Sequence, residues 1–199
     1  MSLTPSNMLP IGTRAPDFSL PSTEGTMVDL ASQCGERGTV VLFICNHCPY
    51  VIHIADTLAG TAREYMAKGI GFVAINSNDT SAYPEDGMEY MIREKQDRNY
   101  PFPYLIDDSQ EVARAYDAAC TPDIYLFDSD LRLVYRGQFD DSRPGRVSSG
   151  NYDSTGKQPT GRDLRAAMDC LLQEIRVPDD QKPSIGCNIK WKPSFEPSG

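Results

Sequence analysis

The sequence predicts a mixed α/β domain: a central sheet with helices on both faces, an N-terminal hairpin leading in and an extended C-terminal arm leading out. Two observations carry the prediction. The run Thr39 to Cys45 (TVVLFIC) is continuously apolar and rich in β-branched residues, as expected of a central strand buried on both faces. Strand-like runs then alternate with helix-like runs, ending in the pair Asp123 to Asp128 (DIYLFD) and Leu131 to Gly137 (LRLVYRG). Those two flank a Ser-Asp turn and read as an antiparallel hairpin.

In chain order, DFSL and MVDL are short alternating runs separated by Gly25, which predicts the entry hairpin. After the central strand, Pro49 to Met66 reads as a helix. Val51, Ile54, Leu58, Ala62 and Tyr65 recur at spacings of three and four, and Pro49 suits the first turn, where its missing N–H is no loss. Lys68-Gly69 closes it, and IGFVAIN is the next strand, on a connection short enough to pack the helix back across the sheet. Tyr83 to Arg98 predicts a second helix with Met88, Met91 and Ile92 on one side, and YPFPYLID ends in a short strand. Ser109 is placed to cap a helix containing Val112, Ala113 and Tyr116.

The polar, Gly/Ser-rich stretch DDSRPGRVSSGNYDSTGKQ predicts a long loop. Thr160 opens a T-x-x-D capping box on a last helix striped by Leu164, Ala167, Met168, Leu171 and Ile175. From Val177 the chain is proline-rich and too irregular for a helix. The predicted organisation is a domain over residues 10–176 and an arm over 177–199 that wraps the surface.

Composition narrows the function. The 199-residue chain carries a net charge of −9, which argues against nucleic acid and against anionic membrane surfaces. No apolar run is long enough for a membrane span. The N-terminus lacks a charged region followed by an apolar one, so the expected location is the cytoplasm, with a leader trimmed ahead of Met1 left open. Thiols are kept reduced there, and six cysteines are few for a disulfide scaffold of this length.

Chemistry concentrates in CNHCPY, Cys45 to Tyr50. Two thiols at C-x-x-C spacing suit a redox couple or half of a metal site, and spacing alone does not decide. Context favours the redox couple, because a buried strand ends and a helix begins at this point. Cys45 falls ahead of the first helical turn, where unpaired N–H groups and the helix dipole favour a thiolate. Cys48, one turn on, is within bridging reach. His47 adds a potential positive charge beside the pair. Downstream, Thr121-Pro122 stands immediately before a strand.

With strand, C-x-x-C-P, helix and a Thr-Pro before a hairpin, residues 10 to 175 resemble the thioredoxin superfamily. They look closest to the redoxin branch of alkyl hydroperoxide reductase-like and cytochrome-maturation thiol reductases, whose start GTRAPDFSL is similar to. The resemblance implies a thioredoxin-like fold and a thiol–disulfide oxidoreductase. Cys45 would attack, Cys48 resolve, Pro122 be a cis-proline, and Thr121 meet the substrate backbone. Asn46, His47 and Pro49 would support the pair. No cofactor is implied beyond a redox-active Cys45–Cys48 disulfide, and no metal. The partners would be a disulfide- or thiol-bearing protein and an upstream thiol reductant. Ile44 departs from the tryptophan common before the pair in that family.

A second reading is peroxiredoxin-like, because Cys48-Pro49 ends a pattern similar to the peroxidatic motif. Cys48 would then attack a hydroperoxide, and Arg136 would steady its thiolate. Cys45 and Val41 replace the motif's threonine and proline. A third reading is soft-metal capture by Cys45, His47 and Cys48 with Cys120 or Cys187. Cys120 reads as a small buried residue or a further exchanging thiol. Cys187 reads as packing against Trp191 or as a partner thiol. Cys170 is expected in the core, Cys34 without a role, and His53 on a solvated helix face.

Overall fold

A computed structural model of the chain describes residues 3–148, 151–153 and 156–193. The first short strand, β1 (Leu3–Pro5), is followed by the hairpin β2 (Ser19–Pro21) and β3 (Met27–Asp29) and by a single helical turn, α1 (Leu30–Gln33). The core elements are β4 (Gly38–Phe43), α2 (Pro49–Met66), β5 (Ile70–Asn76), α3 (Met88–Asp97), β6 (Tyr104–Ile106), α4 (Glu111–Ala115), β7 (Cys120–Thr121), β8 (Asp123–Phe127) and β9 (Leu133–Arg136). A second hairpin, β10 (Gly145–Ser148) and β11 (Asn151–Asp153), precedes α5 (Arg162–Leu172) and the late strand β12 (Ile185–Asn188).

The main sheet runs β6-β5-β4-β8-β9. β4 is parallel to β5 and antiparallel to β8, which pairs antiparallel with β9. Every residue of β4 is buried, as the apolar run requires. Its side chains alternate between two cores. Val40 and Leu42 face α2, α3 and α5, and Val41 and Phe43 face α4 and the N-terminal segment. The sheet is therefore covered on both faces.

Helix α2 has the predicted bounds. It buries Val51, Ile54, Ala55, Leu58, Ala59, Ala62 and Tyr65 along one stripe. Each of Val51, Ile54 and Leu58 contributes about 1.5–3 kcal/mol relative to exposure. Pro49 occupies the first turn and Gly69 takes φ +87° in the turn that ends it.

Several expectations need correction. The second helix begins at Met88 rather than Tyr83, because a 3₁₀ turn over Pro84–Asp86 precedes it. Gln110, not Ser109, is the N-cap residue of α4, and Ser109 Oγ accepts from Glu111 N at 3.2 Å. No capping box forms at Thr160. Gly161 caps α5 at φ +68°, where a Cβ would meet the Phe139 ring at 2.7 Å, while Asp140 takes the Thr160 and Gly161 amides. The predicted long loop contains the β10–β11 hairpin.

The arm departs most from expectation. It is extended, but Val177, Cys187 and Ile189 are buried. β12 is the centre of a second sheet ordered β1-β12-β7, with Leu3 opposite Cys187 on one side and Thr121 opposite Cys187 on the other. Beyond β12 the chain is stitched to the core by Asn78 Oδ1, which accepts from Lys190 N at 2.9 Å. Gln110 Nε2 donates to the Lys190 carbonyl at 2.8 Å. Trp191 packs on the α4 side and Cys187 on the α2 side, so the two do not pack together.

Candidate redox site

The site lies where β4 runs out, α2 starts and the β7–β8 junction passes. All six cysteines are unbridged thiols. Cys45, Cys48, Cys120 and Cys187 are buried, Cys48 completely. The Thr121–Pro122 peptide bond is cis.

Thr121 is the hub. The Cys48 thiol donates to its carbonyl at 3.1 Å, and its hydroxyl lies 3.4 Å from Cys45 Sγ. Its backbone pairs with β12 opposite Cys187, which brings Cys187 into the buried cluster that holds Cys48, where its thiol and N–H favour the Cys48 thiolate. Gly186 makes that approach possible. A Cβ there would lie 1.9 Å from the Thr121 carbonyl oxygen, closer than any side chain can come. Cys120 points elsewhere, with its thiol 3.5 Å from the Pro122 carbonyl, and burial and Asp123 push it well up.

The two thiols of the C-x-x-C differ in kind. Cys48 is the N-cap residue of α2, at the positive end of the dipole beside first-turn N–H groups. Burial opposes its ionisation, but donors from Cys187, Cys45, Thr121 and the Cys187 backbone outweigh burial and carry it well below the ordinary thiol range. On losing its proton Cys48 gives up the bond to the Thr121 carbonyl and takes up those donors. Cys45 is pushed well up, first by burial, then by Cys48, then by the charge of Asp86. The helix end and these donors therefore favour ionisation of Cys48 over Cys45, the reverse of the order expected from the sequence.

His47 does not face the thiolate as a free positive charge. Its Nδ1 lies 2.7 Å from Asp86 Oδ2, close but off the hydrogen-bond line. That carboxylate raises the imidazole against the cost of burial, and the ring stacks on Tyr83 at 5.6 Å and 4°. Asp86 is the functional residue that the sequence reading missed. Fully buried, it accepts from Asn46 N at 2.9 Å and from Asn78 Nδ2 at 2.7 Å. Asn46 is held further by its Nδ2 donating to the Glu85 carbonyl at 2.9 Å and by the Tyr104 hydroxyl donating to its Oδ1 at 3.0 Å. The only sequence signal was an acid just before a glycine in YPEDG.

Cys45, His47 and Asp86 each offer one ligand atom, all within 4.8 Å of one another. This is a different set from the soft cluster of thiols considered from sequence, because Cys48 faces Thr121 and Cys187. Arg136 is also elsewhere. Its guanidinium donates to Gln181 Oε1 at 2.8 Å, and its own backbone N–H does so at 3.0 Å, so it fastens the arm to β9. The peroxiredoxin-like placement beside Cys48 is not what these contacts give. His53 is half-buried, with Nε2 3.1 Å from the Lys157 carbonyl. The cavity reaching Pro122, lined by Tyr50, Arg143, Ser184 and Ile185 among others, holds about 20 Å³, room for one water. No helix among the described residues is long and apolar enough to cross a membrane.

Known proteins share this fold. A conserved protein of Geobacillus kaustophilus described as uncharacterized has a solved structure that matches at 52% identity and a TM-score of 0.91, over 98% of this chain and 99% of its own. A structure of a putative thiol:disulfide interchange protein DsbE from Chlorobium tepidum matches at 19% identity and a TM-score of 0.61, over 82% of this chain and 99% of its own. That likeness makes the fold thioredoxin-like. Thiol-disulfide oxidoreductase ResA of Bacillus subtilis (strain 168) is 23% identical over 124 residues, which is 62% of this chain and 64% of that relative's length. The AhpC/TSA family model matches residues 11–136, from the segment ahead of the entry hairpin through the C-x-x-C and the cis-proline to the end of β9. A thioredoxin-like sheet with a C-x-x-C at the head of α2 and more than half its length within that match places the chain in the AhpC/TSA family, in the redoxin branch of the thioredoxin superfamily.

Proposed function

We propose that the protein is a thiol–disulfide oxidoreductase working through a Cys45–Cys48 couple. The observation that carries this reading is the convergence of both sulfurs on Thr121, at 3.1 Å and 3.4 Å, beside its cis peptide bond to Pro122. Cys48 is then the nucleophile. Its thiolate attacks a substrate disulfide, forms a mixed disulfide and expels one substrate thiolate. Cys45 gives its proton to that thiolate and attacks Cys48 Sγ, releasing the second substrate thiolate and leaving Cys45–Cys48 oxidised. Substrate and enzyme exchange two electrons, and an upstream thiol reductant restores the pair. No further cofactor enters, and the cytoplasm is the proposed setting.

The test is oxidation of the reduced protein with a small disulfide, then alkylation and peptide mapping without reduction. A Cys45–Cys48 bond is expected, with Cys45→Ser still taking the mixed disulfide on Cys48 but unable to form that bond, and Cys48→Ser forming no adduct at Cys45. An adduct on Cys45 in Cys48→Ser protein would restore the opposite order of attack.

Burial supports a second reading. A Cys48 sulfur with no exposed surface, with room for about one water at the nearby Pro122, suits a partner as small as a hydroperoxide. Sulfenic acid forming at Cys48 faster with peroxide than the mixed disulfide forms with a disulfide would favour that reading.

A further inference from the structure

Three cysteines, not two, meet at Thr121. The third belongs to the arm. Cys187 stands opposite Thr121 in the β7–β12 ladder, and Cys48 lies 3.1 Å from the carbonyl of that same residue. Cys187 is buried in the cluster that holds Cys45 and Cys48. The glycine at 186, whose missing Cβ lets the arm backbone lie against Thr121, seats the strand there. The strand is also fastened on both sides of the cysteine. Ser184 Oγ donates to the Gly137 carbonyl at 2.6 Å before it, and Lys190 N bonds Asn78 Oδ1 after it.

We propose that Cys187 is a second resolving thiol for Cys48, forming a Cys48–Cys187 disulfide that pins the C-terminal strand over the site and is then passed on to Cys45. The proposal rests on the thiol–disulfide reading above and extends it. The Cys48 thiolate attacks a disulfide R–S–S–R, making Cys48–S–S–R and expelling RS⁻. With Cys48 bonded to R, the Cys187 proton moves to that RS⁻ and leaves a Cys187 thiolate. This attacks Cys48 Sγ, forming Cys48–Cys187 and expelling the second RS⁻. Two protein thiols are oxidised and R–S–S–R is reduced to two thiols. Cys45 then exchanges into the bond, forming Cys45–Cys48 and returning Cys187 as a thiol with no net change of redox state. The arm is thus held while Cys48–Cys187 persists and released once Cys45 takes over.

The experiment treats reduced Cys45→Ser protein with one equivalent of 2-hydroxyethyl disulfide and maps the peptides without reduction. The expected product is Cys48–Cys187. The 2-hydroxyethyl adduct on Cys48 should live at least about tenfold longer when Cys187→Ser is added, because an oriented intramolecular thiol is lost. Equal lifetimes overturn the proposal. Gly186→Val keeps every thiol but forces β12 off Thr121, so in the Cys45→Ser background it should lengthen the adduct lifetime comparably. An unchanged lifetime also overturns the proposal. Wild-type protein quenched in acid at successive times avoids dependence on variant folding. Cys48–Cys187 should precede Cys45–Cys48, and its absence at every time refutes the step. The Cys187→Ser protein separates the two readings. A Cys45–Cys48 bond there, with equal lifetimes in the first experiment, removes Cys187 and leaves the couple standing. No Cys45–Cys48 bond there refutes the couple.

Discussion

Two buried carboxylates flank the C-x-x-C, one on each side. Asp86, in the 3₁₀ turn before α3, is met by the Asn46 amide, the Asn78 side chain and the His47 ring. Asp123, immediately after the cis-proline, has Ala119 N and the Tyr125 hydroxyl on a single oxygen, at 3.2 Å and 3.1 Å, with the Ser6 side chain near. Burial that these bonds do not offset pushes Asp123 up to about 6. Burial is equal on the two sides and provision of donors is not. The well-served acid fixes the backbone between the thiols, while the poorly served one makes the other wall of the site sensitive to pH.

The largest effect expected follows from removing the better-served acid. Asp86→Ala leaves a buried imidazole, an amide N–H and a side-chain amide without their acceptor, and should lose about 3–5 kcal/mol of unfolding free energy in urea. Asp86→Asn keeps the volume and one acceptor, so its loss should be smaller. The like charge beside Cys45 also disappears, so Cys45 alkylates faster in the Asn variant. Equal stability of the Ala variant and wild type would mean that the contacts at Asp86 are not holding the loop.

The next effect tests the other acid. Asp123 is protonated in the folded state up to about pH 6 and in the unfolded state only below 3.8. Its contribution is therefore fully present below pH 3.8 and lost as pH rises through about 6. By linkage that loss is roughly 2–3 kcal/mol. Asp123→Asn should flatten this part of the stability profile, read from denaturation midpoints across pH 4 to 7. An undiminished slope would show that Asp123 is not the group titrating in this range.

The contrast between the walls also marks what was legible in sequence. β4, α2 and the β8–β9 hairpin are built from contiguous patterns, so apolar runs, the proline in the first turn and the closing glycine could be read directly. Both thiols, and the threonine and proline facing them, followed from position relative to those elements. What escaped depends on contacts between distant segments. β7 has two residues, and no periodicity announces that a late, proline-rich segment will pair with it. Asp86 was hidden because a short 3₁₀ turn has no burial pattern of its own. The order of thiol acidity failed for the same reason. The helix argument favoured Cys45, but the N-cap residue is Cys48, and distant Asp86 and Cys187 reinforce the difference.

A smaller effect sharpens the hub. Thr121→Val keeps the β-branched shape and removes the hydroxyl that lies 3.4 Å from Cys45 Sγ and that also favours the Cys48 thiolate. One charge-assisted hydrogen bond is about 1.5–3 kcal/mol. The Cys48 thiol should rise by about one pH unit, lowering its alkylation rate about tenfold at any pH below its midpoint. An unchanged rate–pH profile would assign the raised acidity of Cys48 wholly to the arm and the helix.

The smallest effect concerns the cation on the Asp86 side. His47 is raised by Asp86, so its contribution to stability is complete below about pH 6.5, its ordinary value, and lost as pH rises through its higher folded midpoint. The ring also lies flat on Tyr83, and the face of a tyrosine favours the protonated imidazole by about 0.5–1 kcal/mol at a partly exposed site. Tyr83→Leu should therefore lower the His47 midpoint by a few tenths of a pH unit, leaving most of the elevation in place. The chain has two histidines, so the ring signals are readily assigned by NMR with His53 as an internal reference. A fall all the way to the ordinary value would mean that Tyr83, rather than Asp86, holds the charge. No movement would mean that the stacked ring contributes shape and no electrostatics, leaving the carboxylate as the sole source of the contrast between the two walls.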